Sequence, residues 1–272
     1  MQELYNKLKK YSITDAIKIE ESDRQYIALE KMWENLSSPN PSPLEDREIA
    51  QNFYLGLILA NSIICYQLSG KGEDYWEEFG TYFGPTPNPL LIKEGGLVEY
   101  ITKSLGEFIK QSKNNKRFVD VKSNRLEKLR PFLEKFVTNT EYYYNNMEEL
   151  RDKLALTMKQ KNDAKTVVFA IKMFSYGARN VFNKLIYFPE NISIPIDSRL
   201  MNLFEKYKNL DFNLTPPPAG IPQEYFLRGA PLGKGRLERE VKQFYSELSK
   251  KLNISELHLD ALVWVNYDEL IN

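Results

Sequence analysis

The sequence predicts an all-α protein. Apolar residues recur at helical spacing along most of the 272-residue chain, whereas the alternation of apolar and polar residues that indicates β-strands is scarce. Turn-forming residues interrupt this pattern in two loops, at 37–43 and 84–89, and in a proline-rich connector at 216–220. The sequence contains no internal repeat.

The helices that we expect follow one another along the chain. A helix starts near residue 164, where Asp163 is a suitable N-cap, and Pro189 lies beyond its end. Its apolar positions, 164, 167, 168, 171, 174, 178, 181 and 182, predict one broad buried face. Similar patterns predict helices over 23–36, 47–68, 97–111, 123–137, 236–252 and 255–265.

Composition excludes several classes of protein. Lys plus Arg and Asp plus Glu both number 37, so there is no overall basic field of the kind that many DNA-binding proteins have. Basic residues cluster locally instead, at 113–117 and 228–236, which suffices for an enzyme that contacts a short stretch of DNA. A single cysteine and a single histidine exclude an internal disulfide framework and leave too few ligands for a zinc site. We expect an intracellular protein without a membrane span, a targeting signal or a metal.

Lys165 and Asp197 are the candidate reactive residues. Lys165 lies two residues into the apolar helix, where the helix dipole and apolar neighbours both favour a neutral amine. A neutral lysine is a nucleophile that forms Schiff bases. Asp197 ends an extended stretch where the next helix begins, and a carboxylate there can move protons or stabilise a cation. Each residue alone also has an ordinary interpretation, as a solvated lysine and as an N-cap.

The region 148–212 resembles the helix-hairpin-helix DNA glycosylases that are also AP lyases. The matching motifs are AKTVV at 164–168, which carries the lysine, and PIDSR at 195–199, which carries the aspartate. The usual LPGVG hairpin is replaced by residues 156–163, and the interval from lysine to aspartate is longer. Both departures are typical of the archaeal GO glycosylases (AGOG), which act on 8-oxoguanine. Further matches to that branch are DRQY at 23–26, CYQL at 65–68, GEDYW at 72–76 and LDALVW at 259–264.

The resemblance implies a fold and an activity. It implies a two-lobed helical glycosylase fold over 1–272, with the chain ends in one lobe and the active site in the cleft between the lobes. It also implies that Lys165 forms a Schiff base with the sugar, that Asp197 stabilises the cationic sugar, and that β-elimination cuts the strand. The substrate would be double- or single-stranded DNA containing 8-oxoguanine, bound by a monomer that needs no cofactor.

The resemblance further implies a pocket for the flipped base. Trp76 and Phe169 would sandwich the base, because an extrahelical purine must regain stacking. Asp260 would accept from the N1–H and N2–H₂ groups of the purine, and Trp264 would donate to a carbonyl oxygen. The carbonyl of Pro195 would accept from N7–H, which 8-oxoguanine has and guanine lacks. The pocket is completed by Gln25 and Cys65, the latter at a position where the family pattern has serine.

Two alternatives stay open at this point. The chain can be a glycosylase for a different lesion, because the identity of the pocket residues is inferred only from the resemblance. It can also be a non-catalytic helical module that binds nucleic acid or protein, with Trp76 and Phe169 as core residues. We expect Trp33 to be core, Lys172 to contact phosphate or solvent, and His258 to be isolated and without a role.

Overall fold

The regular secondary structure of the described residues is helical. The computed structural model describes residues 1–37, 47–84, 96–208 and 234–272, with side chains from 237 in the last range. These ranges contain no β-strand, which confirms the all-α prediction. The turn-rich segments 38–43 and 85–89, the connector 216–220 and most of the basic cluster 228–236 lie outside the described residues.

The described helices are numbered in chain order. They are α1 (Gln2–Leu8), α2 (Ile13–Glu21), α3 (Arg24–Ser37), α4 (Arg47–Ile64), α5 (Gly72–Phe83), α6 (Leu97–Gln111), α7 (Val119–Phe136), α8 (Thr140–Asn145), α9 (Met147–Met158), α10 (Lys165–Phe182), α11 (Ser198–Tyr207), α12 (Lys234–Leu252), α13 (Glu256–Val265) and α14 (Tyr267–Ile271). In the parts of the chain that the structure describes, no helix is both long enough and apolar enough to span a membrane.

The chain divides into two compact units. Unit 1 comprises residues 1–20 and 192–272, so both chain ends belong to it, and unit 2 comprises residues 21–191. In unit 1, helices α1, α11, α12 and α13 share an apolar core. An edge-on contact between Phe204 and Phe244, with ring centroids 5.4 Å apart, joins α11 to α12 in this core.

Helices α4 and α10 form the centre of unit 2. Helix α4 is buried along most of its length, because its residues are apolar on nearly every face. Gly177 of α10 allows close packing, since a Cβ atom at this position would lie 2.4 Å from Cδ1 of Ile58. Helix α10 is buried on more than the single face that we predicted, because the segment 170–179 is buried on all sides.

The predicted ends of three helices are wrong. Helix α7 begins at Val119, four residues before the predicted start at 123. Helix α4 ends at Ile64 rather than at 68, because the chain turns there and Gln67 adopts a left-handed backbone with φ +45°. The residue that precedes α10 is Ala164, so Asp163 is not its N-cap. The N–H of Ala164 donates to the carbonyl of Lys161, and this turn places Asp163 outside the helix.

Candidate active site

Lys165 is the first residue of α10, whereas the sequence placed it two residues into the helix. Its side chain is exposed, whereas the next two apolar residues, Val167 and Val168, are fully buried. The exposure contradicts the burial that we expected from the apolar sequence around it. The amine therefore lies at the positive end of the helix dipole and is open to a substrate from solvent.

The turn before Lys165 belongs to the segment that stands in place of the LPGVG hairpin. It starts where α9 ends, at Lys159, which adopts a left-handed backbone with φ +52°. The N–H of Gln160 then donates to the carbonyl of Ala155 at 2.9 Å, which closes the C-terminal end of α9. Lys159 thus adopts the left-handed backbone conformation that glycine usually supplies at the end of a helix. Six residues, 159–164, connect α9 to α10.

Arg125 of α7 holds this turn in place. Its Nη2 donates to Oε1 of Gln160 at 3.2 Å and to Oγ1 of Thr166 at 3.4 Å, so it joins the turn to the start of α10. Its Nε donates to the carbonyl of Ile63 at the end of α4, and its guanidinium lies 5.2 Å from the ring centroid of Tyr66. Burial lowers the pKa of Arg125. One guanidinium therefore links three segments that determine where the neighbouring Lys165 stands.

The structure brings Trp76 and Phe169 into contact. Trp76 is fully buried on α5, and Phe169 is half-buried one turn after Lys165. Their ring centroids are 6.2 Å apart at an interplanar angle of 56°. The rings touch in a tilted arrangement rather than standing parallel, so a base can enter between them only after they separate.

Cys65 lies close to Trp76 and to the amine of Lys165. Burial raises the pKa of its thiol to about 12, against the opposing positive charges of Lys165 and Lys122. The nearby indole N–H of Trp76 also lowers the pKa of this thiol, although the two groups do not have the geometry of an ordinary hydrogen bond. The thiol consequently stays protonated at neutral pH and can donate a weak hydrogen bond.

Gln25 is buried on α3 beside the start of α5. Its Nε2 lies 3.4 Å from where a Cβ of Gly72 would stand, and Gly72 precedes Trp76 by one turn. The backbone N–H of Gln25 donates to Oδ1 of Asp23, the residue before α3, at 2.9 Å. Unit 2 thus contains five of the predicted site residues: Gln25, Cys65, Trp76, Lys165 and Phe169.

Asp197 is the N-cap of α11 in unit 1. Its Oδ1 accepts from the N–H of Leu200 at 2.9 Å, which leaves Oδ2 outside the cap bond. The segment before it is anchored by Glu256 of α13, whose Oε2 accepts from the N–H of Ile194 at 2.8 Å. Burial raises the pKa of Glu256. This bond and the buried ring of Pro195 hold the approach to Asp197.

Asp260 and Trp264 lie on α13 in the same unit. Asp260 is buried, whereas Trp264 is half-buried and has the guanidinium of Arg199 stacked 3.7 Å from a ring centroid. Asp197 and Asp260 both influence Tyr245 of α12. Burial first, and then the charges of these two carboxylates, raise the pKa of the Tyr245 phenol. The two predicted carboxylates therefore share one neighbourhood of unit 1.

Three further expectations have clear outcomes. Trp33 is a core residue as predicted, with its ring 5.2 Å from that of Tyr54. Lys172 is neither solvated nor open to phosphate, because it is buried and its amine lies 5.5 Å from the ring centroid of Tyr176. His258 is not isolated, since its Nδ1 lies 2.5 Å from Oε1 of Glu20 in the core of unit 1.

Sequence reasoning missed Arg125, Lys122, Glu256 and Arg199. Arg199 stands in the PIDSR motif, two residues after the aspartate, and that proximity was a usable signal. The other three had none, because each acts on a partner that is distant in the chain or adjacent only after folding. Among the described residues there is no cluster of His, Cys, Asp and Glu that could hold a metal ion.

Comparisons with known proteins identify the family. A family model described as AGOG, N-glycosylase/DNA lyase, matches residues 5–271. An N-glycosylase/DNA lyase of Thermococcus kodakarensis is 34% identical over 260 residues, which cover 94% of this chain and 80% of that protein. One of Methanococcus maripaludis is 33% identical over 246 residues, which cover 90% and 78%.

A solved structure agrees at the level of the fold. The crystal structure of the 8-oxoguanine DNA glycosylase Pa-AGOG from Pyrobaculum aerophilum, complexed with 8-oxoguanosine, superposes with a TM-score of 0.70. It is 22% identical in sequence, and the match covers 98% of this chain and 86% of that one. Since the family match spans nearly the whole sequence and two relatives exceed 30% identity, this chain belongs to the AGOG family and is a bifunctional N-glycosylase/DNA lyase.

Proposed function

We propose that this enzyme removes 8-oxoguanine from DNA and then cuts the strand through a Schiff base on Lys165. The observation that carries the proposal is the position of Lys165, which is exposed at the first residue of α10 in the same unit as the aromatic pair Trp76 and Phe169. An accessible amine next to aromatic rings suits attack on a sugar whose base has left the duplex.

The proposed reaction has two stages. The amine of Lys165 attacks the sugar C1′, the N-glycosidic bond breaks, and the oxidised base leaves as its nitrogen gains a proton. Asp197 stabilises the cationic sugar and accepts the proton that the lysine nitrogen loses. The sugar then opens to a Schiff base, which acidifies the C2′ proton. Loss of that proton expels the phosphate at C3′, so the strand is cut on the 3′ side.

The base is proposed to be recognised by residues that read its edge and its faces. Asp260 accepts from N1–H and N2–H₂, and the indole N–H of Trp264 donates to a carbonyl oxygen. The carbonyl of Pro195 accepts from N7–H, the group that distinguishes the lesion from guanine. The remaining contacts come from Gln25, Cys65, Trp76 and Phe169. We propose that residues 1–272 act as one monomeric, two-lobed DNA repair enzyme that requires no cofactor.

Borohydride trapping tests this proposal directly. The substrates are two duplexes that differ only in one base, 8-oxoguanine in one and guanine in the other, with EDTA present throughout. Reduction of the Schiff base should give a covalent protein–DNA adduct with the first duplex alone. If other oxidised bases give the adduct and 8-oxoguanine does not, the enzyme is a glycosylase for a different lesion.

Substitution of Asp260 separates base recognition from chemistry on the sugar. We expect Asp260→Ala to slow excision of 8-oxoguanine by about one to two decades, because a charged hydrogen-bond partner contributes roughly 1.5–3 kcal/mol. Strand cleavage at a preformed abasic site should change little, since that site has no base to read. Asp268→Ala, at an exposed aspartate of α14, is the control. Equal losses on both substrates would show that Asp260 supports the fold instead.

Arg125 should act as a positioning residue for Lys165. We expect Arg125→Ala to slow cleavage at an abasic site by about 10–100-fold, because small displacements of a nucleophile cost rate steeply. Added guanidinium should restore part of the rate, whereas Arg125→Lys should not, because an ammonium lacks the planar donor set. Arg130 lies on the same helix as Arg125 and forms an exposed ion pair with Glu99 of α6, so Arg130→Ala should cleave normally. A normal rate in Arg125→Ala would show that this residue does not position Lys165.

A further inference from the structure

Phe118 combines two unfavourable features. It precedes α7 as the N-cap residue, with a left-handed backbone at φ +58° and ψ 38°. Its ring is 54% exposed, which makes it one of the more exposed large apolar side chains among the described residues. A bulky residue rarely adopts a positive φ, and it does so where the surrounding structure imposes it. Backbone outliers of this kind cluster at active sites and ligand-binding sites.

The segment before Phe118 is held rigidly on one side by Glu78 of α5. This carboxylate accepts from the N–H of Lys113 at 2.7 Å, from Oγ of Ser112 at 2.9 Å and from Nδ2 of Asn114 at 2.9 Å. Burial raises the pKa of Glu78, but these hydrogen bonds outweigh it and the net pKa is lowered. The carboxylate therefore stays ionised and fixes the loop.

The same segment is held on its other side by hydrogen bonds between buried polar side chains. Nδ2 of Asn115 donates to the hydroxyl of Tyr75 at 3.0 Å, and the amine of Lys122 donates to Oδ1 of Asn115. The backbone N–H of Lys122 also donates to the carbonyl of Phe118 at 2.9 Å. Tyr75 packs edge-on against Trp76, with ring centroids 6.2 Å apart. The loop is thus tied to the helix that carries one wall of the proposed base pocket.

The side chains that the loop presents match a nucleic-acid duplex. Lys113, Lys116 and Arg117 are exposed next to Phe118, and Val121, one turn further along α7, is 51% exposed. An apolar tip flanked by three cations suits contact with stacked bases between two rows of phosphates. Exposed Asp120 lies on the same turn and reduces the local positive charge without cancelling it.

We infer that Phe118 is a wedge that enters the base stack of duplex DNA at the position vacated by the flipped nucleotide. Lys113, Lys116 and Arg117 hold the adjacent phosphates. Extrusion of a base leaves a gap and costs stacking energy, and an aromatic ring that fills the gap restores part of it. The rigid backbone keeps the ring in place before DNA arrives, so little ordering is needed on binding. This inference rests on the proposed removal of a flipped base.

The experiment compares one lesion in duplex and in single-stranded DNA. Phe118→Ala should slow excision of 8-oxoguanine from the duplex by about 10–100-fold, the range that base–aromatic contacts supply. Excision from the single strand should be unchanged, because that substrate has no stack to enter. An unchanged rate on the duplex, or equal losses on both substrates, would overturn the inference.

Two matched variants separate the ring from the backbone. Asn tolerates a left-handed backbone, so Phe118→Asn should raise the unfolding temperature and still lose duplex excision as the alanine variant does. Tyr142→Ala removes a ring of similar exposure on α8 and should leave both rates unchanged. If Phe118→Asn retained full excision from the duplex, the ring would have no role.

A lesion-independent measurement distinguishes this inference from the proposed function. A duplex with an uncleavable abasic analogue carries 2-aminopurine next to the gap, and the wild-type enzyme should quench its fluorescence. Quenching that disappears in Phe118→Ala supports the wedge even if 8-oxoguanine proves to be the wrong lesion. Quenching that persists in this variant overturns the wedge, whatever the lesion.

Discussion

Lys165→Gln should abolish the borohydride-trapped adduct while the protein still folds and binds lesion DNA. Glutamine has a similar length but no nucleophilic amine, so no Schiff base can form. The side chain is exposed at the first position of α10, and a substitution at such a position changes the free energy of unfolding little. The measurement is the yield of adduct on 8-oxoguanine duplex, together with thermal unfolding and an equilibrium binding assay.

The neighbouring turn supplies the matched control. Lys161 is also an exposed lysine, three residues before the N-cap of α10, so Lys161→Gln removes the same charge from the same surface. Its adduct yield should equal that of the wild type. An undiminished adduct in Lys165→Gln would place the nucleophile elsewhere. Lys172 on the same helix is 2% exposed, so it would have to leave its buried position to react.

Asp197→Asn should reduce product formation by about 10²–10⁴-fold, the usual cost of removing a general acid–base group. Asparagine keeps an oxygen that can accept from the N–H of Leu200, so the cap of α11 and the stability should survive. The lost charge is the one that stabilises the cationic sugar and accepts the proton. Single-turnover excision of 8-oxoguanine, with lesion binding measured separately, tests the expectation.

Comparison with Asp197→Ala separates the cap from the chemistry. Alanine removes both the charge and the cap bond, so this variant should lose about 1 kcal/mol of stability in addition to activity. Asparagine should lose activity alone. A normal rate in Asp197→Asn would show that the residue is only a cap, and unfolding of that variant would show that its role is structural.

Ranges could be predicted for seven of the fourteen described helices, because their signal is local. Apolar residues at helical spacing predicted α3, α6 and α13 within about two residues of their observed ends. The end of α4 was wrong, because only the turn at Tyr66 and the left-handed Gln67 stop the helix there. The predicted start of α10 was wrong for a similar reason. The turn from Lys161 to Ala164 places Asp163 before the N-cap position, so the helix starts at Lys165.

The candidate site could be predicted in its residues but not in their surroundings. Lys165, Asp197 and the aromatic pair Trp76 and Phe169 stand in motifs that are short and contiguous in the sequence. The exposure of Lys165 and the contact between the two rings depend on helices packed from elsewhere in unit 2. Burial is a property of the folded neighbourhood, so a local apolar pattern predicted it wrongly for the amine.

The sequence by itself determined the all-α class, the family, and the chemical groups available for the reaction. Only the tertiary structure decided which groups hold others in place. Arg125 forms a hydrogen bond with Gln160, which is 35 residues away in the sequence. His258 contacts Glu20, which is 238 residues away. Helical periodicity depends on neighbours within a few residues, and it can be read from the chain. Hydrogen bonds and ring contacts between distant segments form only when the packing of whole helices brings their side chains within a few ångströms.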